Sequence, residues 1–230
     1  MSNIEEANIA YRQKDYEKAL ELYTQSANEG DDMAQTSLAY MYQNGEGVNK
    51  DELKAFELYE RAANKDNPYA LYNLSLIYRN GRDWALQNPL KAHELALKAA
   101  TLGLVQAQFD VALDFERGLN CQQNHSEAAF WYEEAAKRGN VEAFNNLGAL
   151  YKEGLGVEQD FKKAFICFER ASTMGLATAM YNLGQLYDQG LGVNEDHEKA
   201  LEYCRKAAHK GHQKAKDVIK KLQDEGKIVF

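Results

Sequence analysis

Three side chains near the carboxy terminus are of the types that bind zinc. Cys204, His209 and His212 lie on one predicted helix and just after it. Structural zinc sites use four ligands, and no fourth ligand follows at a suitable spacing. A helix end with histidines close to its C-terminus is the simpler interpretation, because a protonated imidazole interacts favourably with the helix dipole there. We therefore predict no metal site.

Two further patterns could be taken for chemistry. The motif Gly45-Glu-Gly47-Val48 recurs at Gly154 and Gly190, and glycine-rich loops can cradle phosphate. Here the motif follows a predicted helix rather than a strand, and neither G-x-G-x-x-G nor a Walker lysine is present. Cys121 has no neighbouring base in the sequence, so it is interpreted as a spectator thiol. No H-E-x-x-H occurs either, and we predict that the protein is not an enzyme and uses no cofactor.

Charge and composition narrow the choice of partners. The net charge is −8, and residues 1–115 carry 11 basic and 18 acidic side chains, against 16 and 17 in residues 116–230. An acidic chain is a poor ligand for nucleic acid or for an anionic membrane surface. No stretch approaches the roughly 18 consecutive apolar residues of a membrane span, and the first residues lack the features of a signal peptide. Three cysteines without paired spacing suit a reducing compartment. We expect a monomeric cytoplasmic protein.

An internal repeat is the strongest signal in the sequence. Residues 140–175 and 176–211 share the frame A-x-x-N-L-G-x-L-Y-x-x-G-L-G-V-x-x-D-x-x-K-A. Earlier repeats end at Asp66, Gly103 and Gly139, which gives five repeats of 36 or 37 residues. A period of this length is typical of stacked supersecondary units.

Each repeat is predicted to form two helices. In residues 140–175, Ala143, Leu147, Leu150 and Tyr151 define the buried face of a first helix, which Gly154 ends. Second helices are predicted to begin after N-capping residues, and Asn124 is predicted to form a capping box with Glu127. The capping residues are Asp51, Asn88, Asn124, Asp160 and Asp196. Alanines on the second helices let neighbouring helices approach closely, and tyrosines fill the space between them. These alanines are Ala55, Ala62, Ala164, Ala171, Ala200 and Ala207, and the tyrosines are Tyr42, Tyr59, Tyr78, Tyr132, Tyr151 and Tyr187.

The repeat closely resembles the Sel-one-like repeat (SLR), a relative of the tetratricopeptide repeat with a longer loop between its helices. The motif NLGALYKEGLGV…D…KA carries the resemblance, which covers residues 31–211. The first hairpin is more similar to a plain tetratricopeptide unit, through Tyr11, Asp15, Tyr16, Ala19, Leu20 and Tyr23. The fold class implied is all-α, a right-handed α-solenoid of SLR- and tetratricopeptide-like helical hairpins. We predict a single domain over residues 1–230: a hairpin at 4–30, repeats at 31–66, 67–103, 104–139, 140–175 and 176–211, and a capping helix and tail at 212–230.

In tetratricopeptide-like arrays the first helices line the concave surface, and the resemblance implies the same here. Positions on these helices that the core does not use form the candidate partner-binding set. The set is Tyr40, Tyr69, Tyr72, Asn73, Leu76, Phe109, Asp110, Glu142, Asn145, Asn146, Tyr181, Asn182 and Gln185. Aromatic and amide groups suit a peptide, since they offer contact area and backbone hydrogen bonds.

Two alternatives stay open for this set. The aromatic residues could pack between repeats, and Asn73, Asn146 and Asn182 could bond to neighbouring helices. Binding could also lie in the irregular loops at Gly81–Trp84 and Gly118–Cys121, which depart from the G-x-G-V pattern. Because acidic residues outnumber basic ones on the first helices, a clamp for a terminal carboxylate is not expected. A segment with some basic character suits the surface better.

The resemblance implies a function in protein–protein interaction, since family members are mostly adaptors and scaffolds. We expect a non-enzymatic adaptor that binds another protein, or a peptide segment of one, along the concave face. In bacteria some members are linked to host interaction, envelope regulation or toxin neutralisation. The alternative is therefore an immunity or inhibitor protein that sequesters one toxin, effector or enzyme.

Overall fold

The computed structural model describes residues 2–84 and 86–227. Within these residues the chain forms thirteen α-helices and no β-strand is among its elements. The helices are α1 (Asn3–Arg12), α2 (Tyr16–Asn28), α3 (Asp32–Asn44), α4 (Glu52–Ala63), α5 (Pro68–Asn80), α6 (Pro89–Thr101), α7 (Val105–Arg117), α8 (His125–Lys137), α9 (Val141–Glu153), α10 (Phe161–Thr173), α11 (Ala177–Gln189), α12 (His197–His209) and α13 (Gln213–Asp224). Two helices per repeat follow the sequence prediction.

The helices group into two compact units, and the division falls within α7. Unit 1 comprises residues 1–111 and unit 2 residues 112–230. In unit 1 each helix from α1 to α5 packs on the next one, and in unit 2 each helix from α8 to α12 does the same. This is the all-α packing of successive hairpins that defines an α-solenoid, so the predicted fold class is confirmed. The predicted single domain over residues 1–230 stays a prediction.

The second helices begin where the sequence predicts, and one backbone hydrogen bond recurs at each start. The side chains of Asp51, Asn88, Asn124, Asp160 and Asp196 all accept a bond from the first turn of their helix. The N–H of each capping residue donates to an aromatic residue's carbonyl near the end of the preceding first helix, at 2.8–2.9 Å. The Asn124 N–H donates to the Phe115 carbonyl, so it is not free to donate to the Glu127 side chain. That half of the predicted capping box is not formed, whereas the Asn124 side chain does accept from the Glu127 N–H. The recurring bond closes the loop at the same point of each repeat, including the 67–103 repeat, whose loop is one residue longer.

The core is built from small residues and a few large aromatic rings. All six alanines predicted to allow close helix approach are buried, and Tyr59 and Tyr132 are fully buried. Tyr187 is buried as well, whereas Tyr42, Tyr78 and Tyr151 are half-buried. A lysine of the following second helix lies over each of the rings of Tyr42, Tyr78, Tyr151 and Tyr187. These lysines are Lys54, Lys91, Lys163 and Lys199, and their Nζ atoms lie 4.3–5.2 Å from the ring centroids. The alkyl part of lysine therefore extends the apolar core while its charge stays in water.

The second glycine of the G-x-G-V loop permits a close backbone approach between successive hairpins. Gly156, in the loop between α9 and α10, lies against the start of α8, and its backbone φ is 69°. A Cβ atom at this position would overlap the carbonyl group of His125, and Ser126 Oγ donates to the Gly156 carbonyl at 2.9 Å. Gly192 makes the same approach to Phe161. The glycine is therefore needed for contact between hairpins as well as for the turn.

In the 67–103 repeat, side chains form the contact that glycine permits elsewhere. Its loop has Arg82 and Trp84 close to the start of α4. Arg82 Nε lies 3.3 Å from Glu52 Oε2, and the Trp84 ring meets Phe56 edge-on with centroids 5.2 Å apart. Glu52 is the first residue of α4, so this loop meets the preceding second helix at the same end as the regular loops do. The irregular sequence thus keeps the inter-hairpin contact.

We expect Gly156→Ala to destabilise unit 2 far more than Gly139→Ala. Both glycines have positive φ, but a Cβ at Gly139 meets nothing within 4 Å. Backbone strain alone costs about 1–2 kcal/mol, and the overlap at His125 adds about 1–3 kcal/mol. Urea unfolding of the two variants measures the difference. Equal losses of stability would contradict the close approach described above.

Candidate functional site

Unit 1 contains an open cavity of about 550 Å³ on the side of its first helices. Its lining comes from α1, α3 and α5, with one residue from α2. Four residues of the predicted binding set lie together here: Tyr40, Tyr69, Tyr72 and Asn73. The other lining residues are Asn8, Tyr11, Tyr23, Met33, Thr36 and Ser37. Aromatic rings and neutral polar groups therefore form most of the surface.

Two of the tyrosines are available for contact with another molecule. Tyr40 is 45% exposed and Tyr69 is 50% exposed, which is unusual for such large rings in this fold. Tyr72 is half-buried, and Asn73 donates from Nδ2 to the Tyr69 carbonyl of its own helix at 2.8 Å. Tyr40 and Tyr69 thus provide apolar area that internal packing does not use.

Two carboxylates lie at the border of the unit 1 cavity, and each accepts a hydrogen bond from the hydroxyl of a lining tyrosine. Tyr11 donates to Glu46 Oε2 at 2.5 Å, and Tyr72 donates to Asp110 Oδ2 at 2.7 Å. Burial, reinforced by the adjacent carboxylate, raises the pKa of Tyr11 and of Tyr72. Both phenols therefore stay neutral donors, and the negative charge at the border of the cavity comes from the carboxylates.

The remaining predicted residues of unit 1 lie outside this lining. Leu76, Phe109 and Asp110 are half-buried. Asp110 accepts from Gln106 Nε2 at 3.0 Å in addition to Tyr72. Its carboxylate thus already has internal partners.

In unit 2 the predicted asparagines form an internal hydrogen-bond network. Asn182 Nδ2 donates to Asn145 Oδ1 at 2.9 Å, and Asn145 Nδ2 donates to Asn146 Oδ1 at 3.2 Å. Asn146 Nδ2 donates to the Tyr132 hydroxyl at 3.0 Å, which in turn donates to Glu116 Oε2. Asn145 is buried, and the network joins α11, α9, α8 and α7. Asn146 and Asn182 therefore bond to neighbouring helices, as one of the two alternatives from the sequence predicts. Their role in partner binding stays a prediction.

Glu142, Tyr181 and Gln185 complete the predicted set. Glu142 is exposed. The Tyr181 ring stacks on His212, with centroids 4.7 Å apart, and the Tyr181 hydroxyl accepts from Gln185 Nε2 at 3.4 Å. Tyr181 and Gln185 both line a second cavity, of about 430 Å³, together with residues of α12 and α13.

Two histidines of unit 2 have opposite environments. His197 Nδ1 lies 2.9 Å from Asp188 and its Nε2 lies 3.0 Å from Glu195, so both carboxylates favour the protonated ring. The hydrogen bond to Asp188 and the charge of Glu195 raise the pKa of His197. Burial, with Lys214 nearby, lowers the pKa of His212, whose Nδ1 caps α13 by accepting from the Ala215 N–H at 3.3 Å.

The surroundings of Cys204 and His212 bear on the prediction that the chain has no metal site. Among residues 2–84 and 86–227, no group of three or more His, Cys, Asp and Glu side chains could hold a metal ion. Cys204 is buried and its thiol lies 3.7 Å from the Ala215 carbonyl, while His212 serves as a helix cap. Burial raises the pKa of Cys167 to about 11 and raises that of Cys121 as well. Neither thiol is therefore activated as a nucleophile.

Sequence reasoning missed the contribution of the first hairpin to the unit 1 cavity. Asn8, Tyr11 and Tyr23 line it, and Tyr23 donates to Asn8 Oδ1 at 2.7 Å. In the sequence, Tyr11 and Tyr23 belong to the tetratricopeptide-like motif of the first hairpin. Their presence on a hairpin next to α3 was the signal that could have placed them beside Tyr40, because neighbouring hairpins in a solenoid share one surface.

In the part of the chain that the structure describes, no helix combines the length and the apolar character needed to cross a bilayer.

We expect Tyr132→Phe to lower the free energy of unfolding by about 1–3 kcal/mol, because it leaves Asn146 and Glu116 without a buried partner. Tyr187→Phe is the matched control, since this buried tyrosine lies outside the network. Chemical denaturation of both variants tests the network. A Tyr132→Phe protein as stable as the control would show that the network contributes nothing.

We expect His197 to titrate at a higher pH than His212 in an NMR titration of the ring protons. Because its folded-state pKa is raised, the contacts of His197 stabilise the fold below the ordinary histidine value of 6.5, and this stabilisation is lost as pH rises through the raised pKa. His212 has the opposite sign, and its contribution is lost as pH falls. The reverse order of titration would contradict the assigned contacts.

Comparison with known families identifies the repeat. The model of the Sel1 repeat matches residues 10–31, 32–67, 68–104, 105–140, 141–176 and 177–212. The match begins at residue 10 and therefore includes part of the first hairpin, whose sequence resembles a tetratricopeptide unit. No curated protein matches the chain.

Several solved structures are similar over most of the chain. A protective antigen of uropathogenic Escherichia coli strains, described as having an SLR fold, is 29% identical with a TM-score of 0.85; the match covers 92% of this chain and 45% of that protein. A Sel1 repeat protein from Oxalobacter formigenes is 27% identical with a TM-score of 0.85, covering 96% of this chain and 88% of that one. An immunity protein from Pseudomonas aeruginosa is 19% identical with a TM-score of 0.52, covering 88% and 80%, and this likeness extends to the fold alone. The chain thus spans less than half of the Escherichia coli protein.

Proposed function

Because the chain belongs to the Sel1 repeat family, we propose that it is a non-enzymatic adaptor that binds a peptide segment of a partner protein. Sel1 repeat proteins generally mediate protein–protein interactions. The single observation that carries the proposal is the cavity of unit 1, where Tyr40, Tyr69, Tyr72 and Asn73 lie together on the first helices. Exposed tyrosines are frequent anchors in protein interfaces, since they bury a large area for little loss of side-chain entropy.

The chemistry of the cavity suggests the kind of segment that binds. Its centre offers rings and neutral polar groups, while Glu46 and Asp110 lie at its border, bonded to Tyr11 and Tyr72. A segment with an apolar side chain facing Tyr40 and a lysine or arginine reaching a border carboxylate matches this arrangement. The acidic excess of residues 1–115 favours the approach of such a segment.

A non-enzymatic role is supported by how the reactive groups are used. Cys167 and Cys204 are buried, and burial raises the pKa of both thiols. His212 caps a helix, and His197 is held between two carboxylates at an exposed helix start. These groups serve helix ends and packing rather than a shared reaction centre.

The proposal is tested with the double substitution Tyr40→Ala and Tyr69→Ala. A partner is first identified by affinity purification from native extract and then purified, and binding is measured by isothermal titration calorimetry. Loss of two exposed aromatic anchors is expected to weaken binding by about 2–4 kcal/mol. Because both rings are about half-exposed, the melting temperature is expected to stay close to that of the parent.

A matched control is Leu53→Ala with Leu90→Ala, which removes two exposed apolar side chains of second helices in the same unit. This control is expected to bind as the parent does. Unchanged binding of the tyrosine variant would refute the cavity as the binding site. A partner that is a toxic enzyme, bound at nanomolar affinity and inactivated, would favour the immunity function instead.

A further inference from the structure

Unit 2 has a separate open cavity of about 270 Å³ lined by residues of α8, α9 and α10. Phe144, Leu147 and Tyr151 of α9 contribute its apolar lining, and Ile166 and Cys167 line it from α10. None of these residues belongs to the predicted binding set. The cavity therefore lies outside the surface on which the proposed function rests.

A small side chain leaves this cavity open. At the position of Cys167, the next repeat has Tyr203, whose ring stacks on Tyr187 with centroids 5.7 Å apart. Leu58 and Leu95 occupy the same position in unit 1. Cys167 is smaller than any of these residues. Tyr203 fills the space beside Tyr187, whereas the equivalent space beside Tyr151 stays empty.

The rim of the cavity is apolar at a position where three other repeats have glutamate and the 104–139 repeat has Phe130. Ile166 is 49% exposed, and the equivalent positions in other repeats include Glu57, Glu94 and Glu202. In the last repeat Glu202 forms an ion pair with Lys206. Ile166 supplies no carboxylate at this position, so Arg170, the equivalent cation of its own repeat, has no acidic side chain four residues before it.

Three cations and the carboxylate of Glu133 line the opening, and one of the cations has no carboxylate partner among the described residues. The Arg170 guanidinium lies 5.6 Å from the Phe144 ring centroid and forms no ion pair within residues 2–84 and 86–227. Lys163 lies 5.2 Å from the centroid of Tyr151 and 3.9 Å from Asp160. Lys137 completes the rim and pairs with Glu133. An arginine held over an aromatic ring is well placed to bind a carboxylate.

We propose that this cavity binds an apolar side chain of a partner protein that is directly followed by acidic residues. The apolar side chain enters the space beside Cys167 and contacts Leu147 and Tyr151, and a following carboxylate pairs with Arg170. The proposal rests on the proposed function as an adaptor and adds a second binding surface, with a ligand charge opposite to that expected for unit 1. An adaptor with two such surfaces brings two different partners together.

The test uses a panel of short fluorescein-labelled, alanine-based peptides. In each peptide one Leu, Ile, Met or Phe is followed by two glutamates, and binding is measured by fluorescence polarisation. At least one member is expected to bind in the micromolar range, and replacing its glutamates by glutamine is expected to weaken binding about tenfold or more. Raising the salt concentration is expected to weaken it further.

Two protein variants locate the binding. Arg170→Gln changes an exposed side chain and is expected to raise the Kd about tenfold or more. Cys167→Tyr, which introduces the residue of the next repeat, is expected to abolish binding, and circular dichroism checks its fold. Lys206→Gln, at the position equivalent to Arg170, is the control and is expected to leave the Kd unchanged.

The proposal is overturned if no peptide binds below millimolar concentration, or if glutamine peptides bind equally well. Unchanged binding to Arg170→Gln also overturns it, even if Cys167→Tyr fails to fold. These outcomes are separate from those of the unit 1 test, because the Tyr40 and Tyr69 variant leaves the unit 2 cavity intact. Either proposal can therefore fail while the other holds.

Discussion

Close backbone approach between the loop of one hairpin and the start of the preceding second helix sets the geometry of the regular repeats. Gly47, Gly156 and Gly192 make this approach to Tyr16, His125 and Phe161, and no side chain fits between the two backbones. At this separation, alanines on the second helices can pack without leaving gaps. The lysines over the half-buried tyrosines and the recurring bond from the capping residue act within each hairpin, and both are also present in the 67–103 repeat. A repeat protein has no long-range contacts to correct an error here, because each hairpin is positioned only by its neighbours.

The irregular loop of the 67–103 repeat shows that the contact, rather than the glycine, is what the fold requires. Arg82 and Trp84 reach Glu52 and Phe56, so an ion pair and an aromatic contact occupy the place of a backbone contact. This sequence therefore has a structural reason for its departure from the repeat motif. Tryptophan in a loop need not indicate a partner when a ring of the preceding helix lies 5.2 Å away.

Sequence periodicity predicted the features that every repeat shares, and it could not predict those that depend on neighbours. Helix pairs, capping residues and the left-handed glycines follow from local rules that act within a few residues. Asn73, Asn146 and Asn182 occupy the same position of their repeats, yet Asn73 bonds to its own helix while the other two bond to different helices. In unit 1 Tyr59 occupies the position of Tyr132, but its hydroxyl donates to Gln43 at 2.8 Å, and Thr36 occupies the position of Asn145. The cavity beside Cys167 likewise needs α8 of the preceding repeat for part of its lining, which the sequence of the 140–175 repeat does not contain.

Function in such a chain depends on the positions that the repeat leaves free. Glycines, capping residues and buried alanines are fixed by packing and are nearly the same in each regular repeat, so they cannot distinguish one partner from another. Tyr40 and Tyr69 on first helices, and Ile166 and Arg170 on a second helix, are exposed, and the fold would tolerate other residues there. Ile166 stands where three other repeats have glutamate, and it lies on the rim of a cavity that Arg170 also lines. Single substitutions at such positions change the side chains that one repeat exposes while the shared framework stays the same.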